Sequence, residues 1–333
     1  MKKRVAVVGA TGAVGREMVR VLEKRDFPVS ELRLLASERS AGAAIPFRGG
    51  EIHVEVLGHE SFEGIELALF SAGAAVSKKY AASAVRSGAV VVDNSSAFRR
   101  DPEVPLVVPE VNPEAIRDHR GIIANPNCST IIMIVPVAAI HRVVRVERIV
   151  VSTYQAVSGT GAQAIEELRR QVGEIQEGRE PTLSVYPYQI AFNLFPHVDR
   201  FLENGYTREE MKMVWETRKI LSEPELPVTA TCVRVPVFRA HSEAVNLQLE
   251  RKIRAEEVRE ILAEAPGVAV QDDPSGTIYP MPITASGRDE IFVGRIREDI
   301  SQERGIDLWV VADQLLKGAA LNAVQIAERL YGL

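Results

Sequence analysis

The sequence is poor in cysteine, in excess positive charge and in long apolar runs. Its 333 residues hold two cysteines, Cys128 and Cys232, too few for a disulfide framework and suited to a reducing compartment. Forty Lys and Arg against 45 Asp and Glu leave a formal charge of −5, which argues against a nucleic-acid surface. No uninterrupted apolar run reaches membrane-spanning length. Met1-Lys2-Lys3-Arg4 is basic, but Val5 to Ala10 is too short for a signal h-region and runs into a glycine motif. The chain is therefore expected in the cytoplasm, with no nucleic-acid or membrane partner. It has no internal repeat, no low-complexity tract and no assigned metal site.

What remains is 46% hydrophobic and 26% charged, an ordinary globular composition, with length enough for two domains. Arg4 to Gly9 reads as a buried parallel strand. The turn Gly9-Ala10-Thr11-Gly12-Ala13-Val14-Gly15 follows, then a helix with Val14, Met18, Val21 and Leu22 on one face. Strand, glycine turn and helix in that order form a dinucleotide-binding start, with the helix N-terminus facing the pyrophosphate. The Gly-x-x-Gly-x-x-Gly spacing also fits a turn made only for close packing. The next strand, Glu31 to Ala36, ends in Ser37-Glu38-Arg39-Ser40. Where an NAD site would place a carboxylate there is a serine, with Arg39 and Ser40 close behind. These donors suit a 2′-phosphate, so the reading is NADP. Glu38 opposes it unless its side chain points outward, and a solvated polar turn is the alternative. Strands at Glu66 to Phe70, before Ser71, and at Ala89 to Asp93, before Arg99, end where ligand loops gather. Arg99 is an anion clamp or, with Arg100, a plain surface charge.

The most informative stretch is Asn125-Pro126-Asn127-Cys128-Ser129-Thr130. An extended run, Gly121 to Ala124, ends there and an apolar helical run, Ile131 to Val144, begins, with a kink expected at Pro136. Cys128 thus sits at a helix N-terminus, where open N–H groups and the dipole favour a thiolate. Asn127 adds an amide donor for an oxyanion. In isolation, a buried structural cysteine is the commoner reading of Cys128. Beyond it come a strand, Arg148 to Tyr154, the turn Gln155 to Gly161 and a loop-rich region over 173–207, suited to an interface or to a cover over a site. Thr207 to Glu210 is a capping box for a helix to Leu221. On that helix Glu209, Lys212, Glu216 and Lys219 share a stripe that reads as a solvated, salt-bridged face. A strand over Val228 to Val237 puts Cys232 and Arg234 on one side. His241 follows a turn and, alone, is as ordinary as most histidines. With Ile291 to Val293 and Leu308 to Val311, the strand at 228–237 is expected to complete an antiparallel sheet. A long helix is expected over Asp313 to Leu330, returning to the first domain.

Taken together, the glycine turn, the motif around Cys128, Tyr154 to Gly161, Glu209 to Lys212, Cys232 to Val237 and His241-Ser242-Glu243 resemble the aspartate-β-semialdehyde dehydrogenases over essentially the whole chain. The resemblance implies an α/β fold: an N-terminal Rossmann-like NADP-binding domain (1–127 plus about 313–333) and an α+β catalytic and dimerisation domain (128–312). It implies Cys128 as nucleophile, Gln155 positioning the substrate and His241 as acid/base. It places Arg234 on the substrate carboxylate, Glu209 on its amino group, and Arg99 with Lys212 on phosphate. NADP contacts fall on Gly9, Thr11, Gly12, Ala13, Val14, Gly15, Ser37, Arg39, Ser40, Ser71, Ser158, Gly159 and Gln314. The implied reaction is reductive dephosphorylation of aspartyl phosphate through a cysteine thioester, on the route to lysine, threonine and methionine, in a homodimer. Arg239-Ala240, where a smaller pair is usual, departs from the pattern. The rival is an N-acetyl-glutamyl-phosphate reductase, which typically has glycine in place of Asn127. A catalytically silent relative would have lost Cys128 or His241.

Overall fold

The computed structural model describes residues 2–333. They form two compact units, Met1–Asn127 with Gly318–Leu333, and Cys128–Lys317.

Among the described residues, the first unit is built on seven strands, of which the central ones are apolar runs covered on both faces and the outer hairpin is largely exposed. These are β1 (Lys3–Val8), β2 (Val29–Ala36), β3 (Ala44–Phe47), β4 (Gly50–Val56), β5 (Leu67–Phe70), β6 (Val90–Asp93) and β7 (Ile122–Ala124), with helices α1 (Ala13–Lys24) and α2 (Ala74–Arg86) between them. The sheet order is β3-β4-β2-β1-β5-β6-β7. All pairs are parallel except β3–β4. The chain winds outward in both directions from β1, so a crevice opens at the carboxyl ends of β1 and β5. The sequence reading places no strands at β3 and β4. Their two-residue turn, Arg48-Gly49, has φ of 50° and 76°, the left-handed pair that matches the twist of a hairpin.

The last helix, Leu321–Tyr331, packs back on the first unit as expected. Arg25 pairs with Glu328 at 2.6 and 2.8 Å, and the Tyr331 hydroxyl donates to the Glu66 carbonyl at 3.0 Å. Helical structure begins at Leu316, three residues after the expected Asp313, as a π-helical turn, Leu316–Ala320, that leads directly into the α-helix. The Asp313 carboxylate accepts the N–H groups of Leu315 and Leu316 at 3.0 and 3.3 Å, a local bond that holds the turn before it.

The second unit opens with α3 (Cys128–Val143), unbroken at Pro136 and buried from Ser129 to Ala138. Then come β8 (Val146–Gln155), α4 (Ala162–Gln176), α5 (Arg208–Leu221), β9 (Val228–Arg234), β10 (His241–Leu249), α6 (Ala255–Ala263), β11 (Val268–Val270), β12 (Ile291–Glu298) and β13 (Gly305–Ala312). The sheet order is β11-β12-β13-β10-β8-β9. It is mixed, not antiparallel: β8–β9 and β11–β12 run parallel. The reason is the crossover through α4 and α5, which returns the chain to the end where β8 began. β9 stops three residues short of Val237, before Pro236, which has no N–H to give a ladder.

Candidate active site

At the end of β1, Gly9 has φ +82°, and a side chain there would meet the Ser71 carbonyl at 2.5 Å. Gly15 is pressed against the Gly9 carbonyl with no room for a methyl group. Gly12 is the N-cap of α1 and no side chain caps the helix, so its first N–H groups are available to an anion. Ala13 and Val14 begin that helix. The crevice is a cleft of about 690 Å³ whose lining includes Thr11, Ser37, Glu38, Ser71, Lys79 and Tyr80. The Thr11 hydroxyl donates to Ser40 Oγ at 3.2 Å. Glu38 lines the cleft, whereas Arg39 is exposed and does not. Lys79, a cation on α2, was not singled out from the sequence. The signal was present in its place, six residues after the Gly73 turn that follows β5. The glycine cradle, the open helix start and the cleft fit a dinucleotide.

Arg99 separates from its neighbour: it is buried, while Arg100 is exposed. Its Nε donates to the Asn125 carbonyl at 2.9 Å and its Nη2 to the Asn94 carbonyl at 3.0 Å. Asn125 in turn donates to Asn94 Oδ1 at 2.6 Å and accepts from Asn322 Nδ2 at 2.7 Å. This buried amide network fixes the residues leading into Cys128, and the sequence reading missed Asn94 and Asn322. Asn127 is buried, and Cys128, partly exposed, is the first residue of α3.

In the second unit, strand polarity gathers the predicted residues. β8 and β9 run parallel with Gln155 opposite Arg234. β10 runs the other way, with Ser242 opposite Tyr154. The last residues of β8 and β9 and the first of β10 therefore share one end of the sheet, and Gln155, Arg234 and His241 are all buried there. Ala156 joins them. Its N–H donates to His241 Nδ1 at 3.0 Å, and its carbonyl accepts from Arg234 Nη1 at 2.5 Å. Burial, and then the Arg234 charge, hold the His241 pKa well below the usual imidazole range. Gly159 lies against the same pair. Ser158 accepts a bond from Gln314 Nε2, while Gln314 Oε1 accepts the Ala240 N–H at 2.9 Å. Both polar ends of Gln314 are thus engaged within the protein. Ala240, at φ +74°, makes the tight turn that introduces His241. Phe195, in the loop-rich region, exchanges backbone bonds with Arg234 at 2.9 and 2.8 Å.

The stripe on α5 is not a solvated face. Glu209 and Glu216 are buried, and Lys212 and Lys219 are half-buried. Gln155 Nε2 donates to Ser129 Oγ at 3.0 Å and to Glu209 Oε1 at 3.3 Å. Lys212 Nζ bridges Glu209 at 2.8 Å and Asp199 at 2.9 Å. Burial opposes the Lys212 charge, but Glu209 and Asp199 outweigh it and raise the pKa. The capping box is present as expected: Glu210 accepts from the Thr207 N–H at 2.6 Å. Its other oxygen accepts the Cys232 N–H at 2.9 Å. Cys232 is buried, and burial raises its pKa well above normal, leaving Cys128 as the accessible thiol.

Residues 4–119 match the family model for the semialdehyde dehydrogenase NAD binding domain, and residues 137–317 that for the semialdehyde dehydrogenase dimerisation domain. An aspartate-semialdehyde dehydrogenase of Aquifex aeolicus (strain VF5) is 57% identical over 99% of this chain and 98% of its own. The chain belongs to the aspartate-semialdehyde dehydrogenase family. Its reaction is aspartate-semialdehyde dehydrogenase activity, which decides against the N-acetyl-glutamyl-phosphate reductase alternative. The fold of the semialdehyde dehydrogenase agrees. Aspartate semialdehyde dehydrogenase II from Vibrio cholerae, complexed with ASA, has 48% identity, a TM-score of 0.96 and coverage of 100% of this chain and 99% of its own. The Candida albicans enzyme, with NADP, has 27% identity, a TM-score of 0.76 and 99% coverage of both chains. Among the described residues no helix of this semialdehyde dehydrogenase is long and apolar enough to cross a membrane.

Proposed function

We propose that the chain carries out NADP-dependent reductive dephosphorylation of L-4-aspartyl phosphate to aspartate 4-semialdehyde, reversibly, through a thioester on Cys128. The observation that carries this reading is the convergence of Gln155, Arg234 and His241 on one end of the second sheet, with Glu209 hydrogen-bonded to Gln155.

The Cys128 thiolate, favoured by the α3 dipole, attacks the acyl carbon. A C–S bond forms, the C–O bond to phosphate breaks, and phosphate leaves with the electron pair. Arg99 and Lys212 hold the phosphate, Arg234 binds the substrate carboxylate and Glu209 its ammonium. Gln155 positions the substrate, Asn127 supports the oxyanion, and His241 serves the reacting oxygen. A bound nicotinamide dinucleotide supplies hydride transfer. Its proposed contacts are the first-unit residues Gly9, Thr11 to Gly15, Ser37, Arg39, Ser40 and Ser71. Ser158, Gly159 and Gln314 are the second-unit contacts. The V. cholerae complex with ASA and the C. albicans structure with NADP support the ligand classes.

We assign residues 1–127 and about 313–333 to cofactor binding and 128–312 to catalysis and dimerisation, in a cytoplasmic homodimer. The test is phosphate-dependent oxidation of aspartate semialdehyde by the wild type, Cys128→Ala and Arg39→Ala. Expected are several orders of magnitude lost with Cys128→Ala, and selective weakening of NADP over NAD with Arg39→Ala. Equal turnover of wild type and Cys128→Ala would reject the thioester. A wild type that prefers NAD would reject the NADP assignment and point to Glu38.

A further inference from the structure

We propose that Lys79 binds the 2′-phosphate of NADP from the α2 wall of the first-unit cleft, and that Lys79 and Glu38 together set the preference for NADP over NAD. The assignment rests on NADP being the cofactor.

Val76, Lys79 and Tyr80 all line the cleft, a spacing that puts them on one face of α2. Ser37 and Glu38, which follow β2, line the same space. Among the described residues that line it, Lys79 is the only cation.

Tyr80 shows which side of the crevice this turn of the helix occupies. Its ring packs on His59, with centroids 4.8 Å apart, and His59 Nδ1 is held 2.8 Å from Ser83 Oγ. His59 follows β4, the neighbour of β2 in the sheet. Lys79 Nζ lies over the Tyr80 ring, 4.8 Å from its centroid, a cation–π contact that restrains a flexible stem. The ammonium is therefore on the β2 side. That is where a dinucleotide brings its ribose 2′ position, whereas the glycine turn and the start of α1 receive the pyrophosphate.

The charges are the second observation. Among the described residues, neither Lys79 Nζ nor the Glu38 carboxylate has a hydrogen bond or an ion pair, so the two line one cleft without pairing. A carboxylate at this place suits the free ribose hydroxyls of NAD and repels a 2′-phosphate. An ammonium does the reverse, as a point charge that tolerates varied geometry. Arg39 is exposed and outside the lining. Within the cleft, the balance is Lys79 against Glu38.

Calorimetric titration of the full-length enzyme with NADP and with NAD, at low and high salt, tests this. Lys79 is exposed, and Lys79→Met keeps its apolar stem, so the fold should be retained. That variant should bind NADP about 10- to 100-fold more weakly, the scale of one charge-assisted hydrogen bond, with NAD nearly unchanged. Lys79→Arg should keep the preference. Glu38→Gln should tighten NADP by about fivefold, the worth of one charge at contact distance in water. The wild-type preference should shrink as salt rises, and that salt dependence should be smaller in Lys79→Met. Equal weakening of NADP and NAD in Lys79→Met would put the lysine on a part common to both and overturn the proposal. Unchanged NADP affinity in that variant would overturn it as well and leave the phosphate to Arg39. A wild type that binds NAD no more weakly than NADP would remove the NADP reading itself, a failure told apart because it shows before any variant is made.

Discussion

Gly159 and His241 touch: a methyl group placed on the Gly159 α-carbon would lie 3.2 Å from His241 Nε2 and 3.0 Å from Arg234 Nη1. Gly159→Ala is therefore expected to lower kcat/KM by about 10²-fold, the scale of a small misplacement at a reacting centre. Its backbone is not left-handed, so alanine adds no backbone strain, and Tm should stay close to wild type. A matching fall in Tm would mean that the loss is structural.

Lys212 is the counter-ion of a buried carboxylate, bonded to Glu209 at 2.8 Å. Lys212→Met leaves that charge under-compensated and should destabilise the fold by about 3 kcal/mol. Adding Glu209→Gln should return most of the loss, since the two changes are coupled. Chemical denaturation of the four proteins closes the cycle. Additive effects would show that the pair contributes nothing jointly.

Glu243 is fully buried, and neither carboxyl oxygen has a hydrogen-bond partner among the described residues. Burial, and then the Glu209 charge, hold its pKa well above the ordinary 4.5. As pH rises past the unfolded value, the unfolded chain releases a proton that the folded one keeps, so stability falls with pH up to the folded pKa. Glu243→Gln removes this slope. Its stability relative to wild type should improve by at least about 1.4 kcal/mol between acid and neutral pH, the worth of one pKa unit. Parallel stability-pH curves would refute the assignment.

Gln314 links Ser158 to the Ala240 N–H, one residue before His241. Gln314→Leu orphans a buried N–H and should cost about 1–3 kcal/mol of stability. Because the link supports the His241 turn, kcat should fall further than the affinity for NADP. The opposite pattern would favour a direct cofactor contact for Gln314.

Much of this was legible in the sequence, for physical reasons. The buried strand before Gly9, the cysteine opening α3 and the Thr207 capping box are local signals, fixed by backbone chemistry within a few residues. β10 was hidden because it begins His241-Ser242-Glu243, three polar residues that are all buried, so its pattern does not resemble a core strand. The stripe on α5 looked solvated for the converse reason: its carboxylates find their partners on residues far away in sequence, such as Gln155 and Asp199. Ala156 carries no side-chain chemistry at all, and only the tertiary path of the chain brings its peptide to both His241 and Arg234.

The first unit is closed by a helix, Leu321–Tyr331, about two hundred positions beyond its last strand. Asn322 donates to Asn125 across 197 positions, and Arg25 waits for Glu328, 303 positions later. During synthesis, the face of α1 that receives Leu321–Tyr331 stays uncovered until that helix has left the ribosome. A nascent chain arrested before Leu321 would hold every strand of that sheet and still lack its keystone.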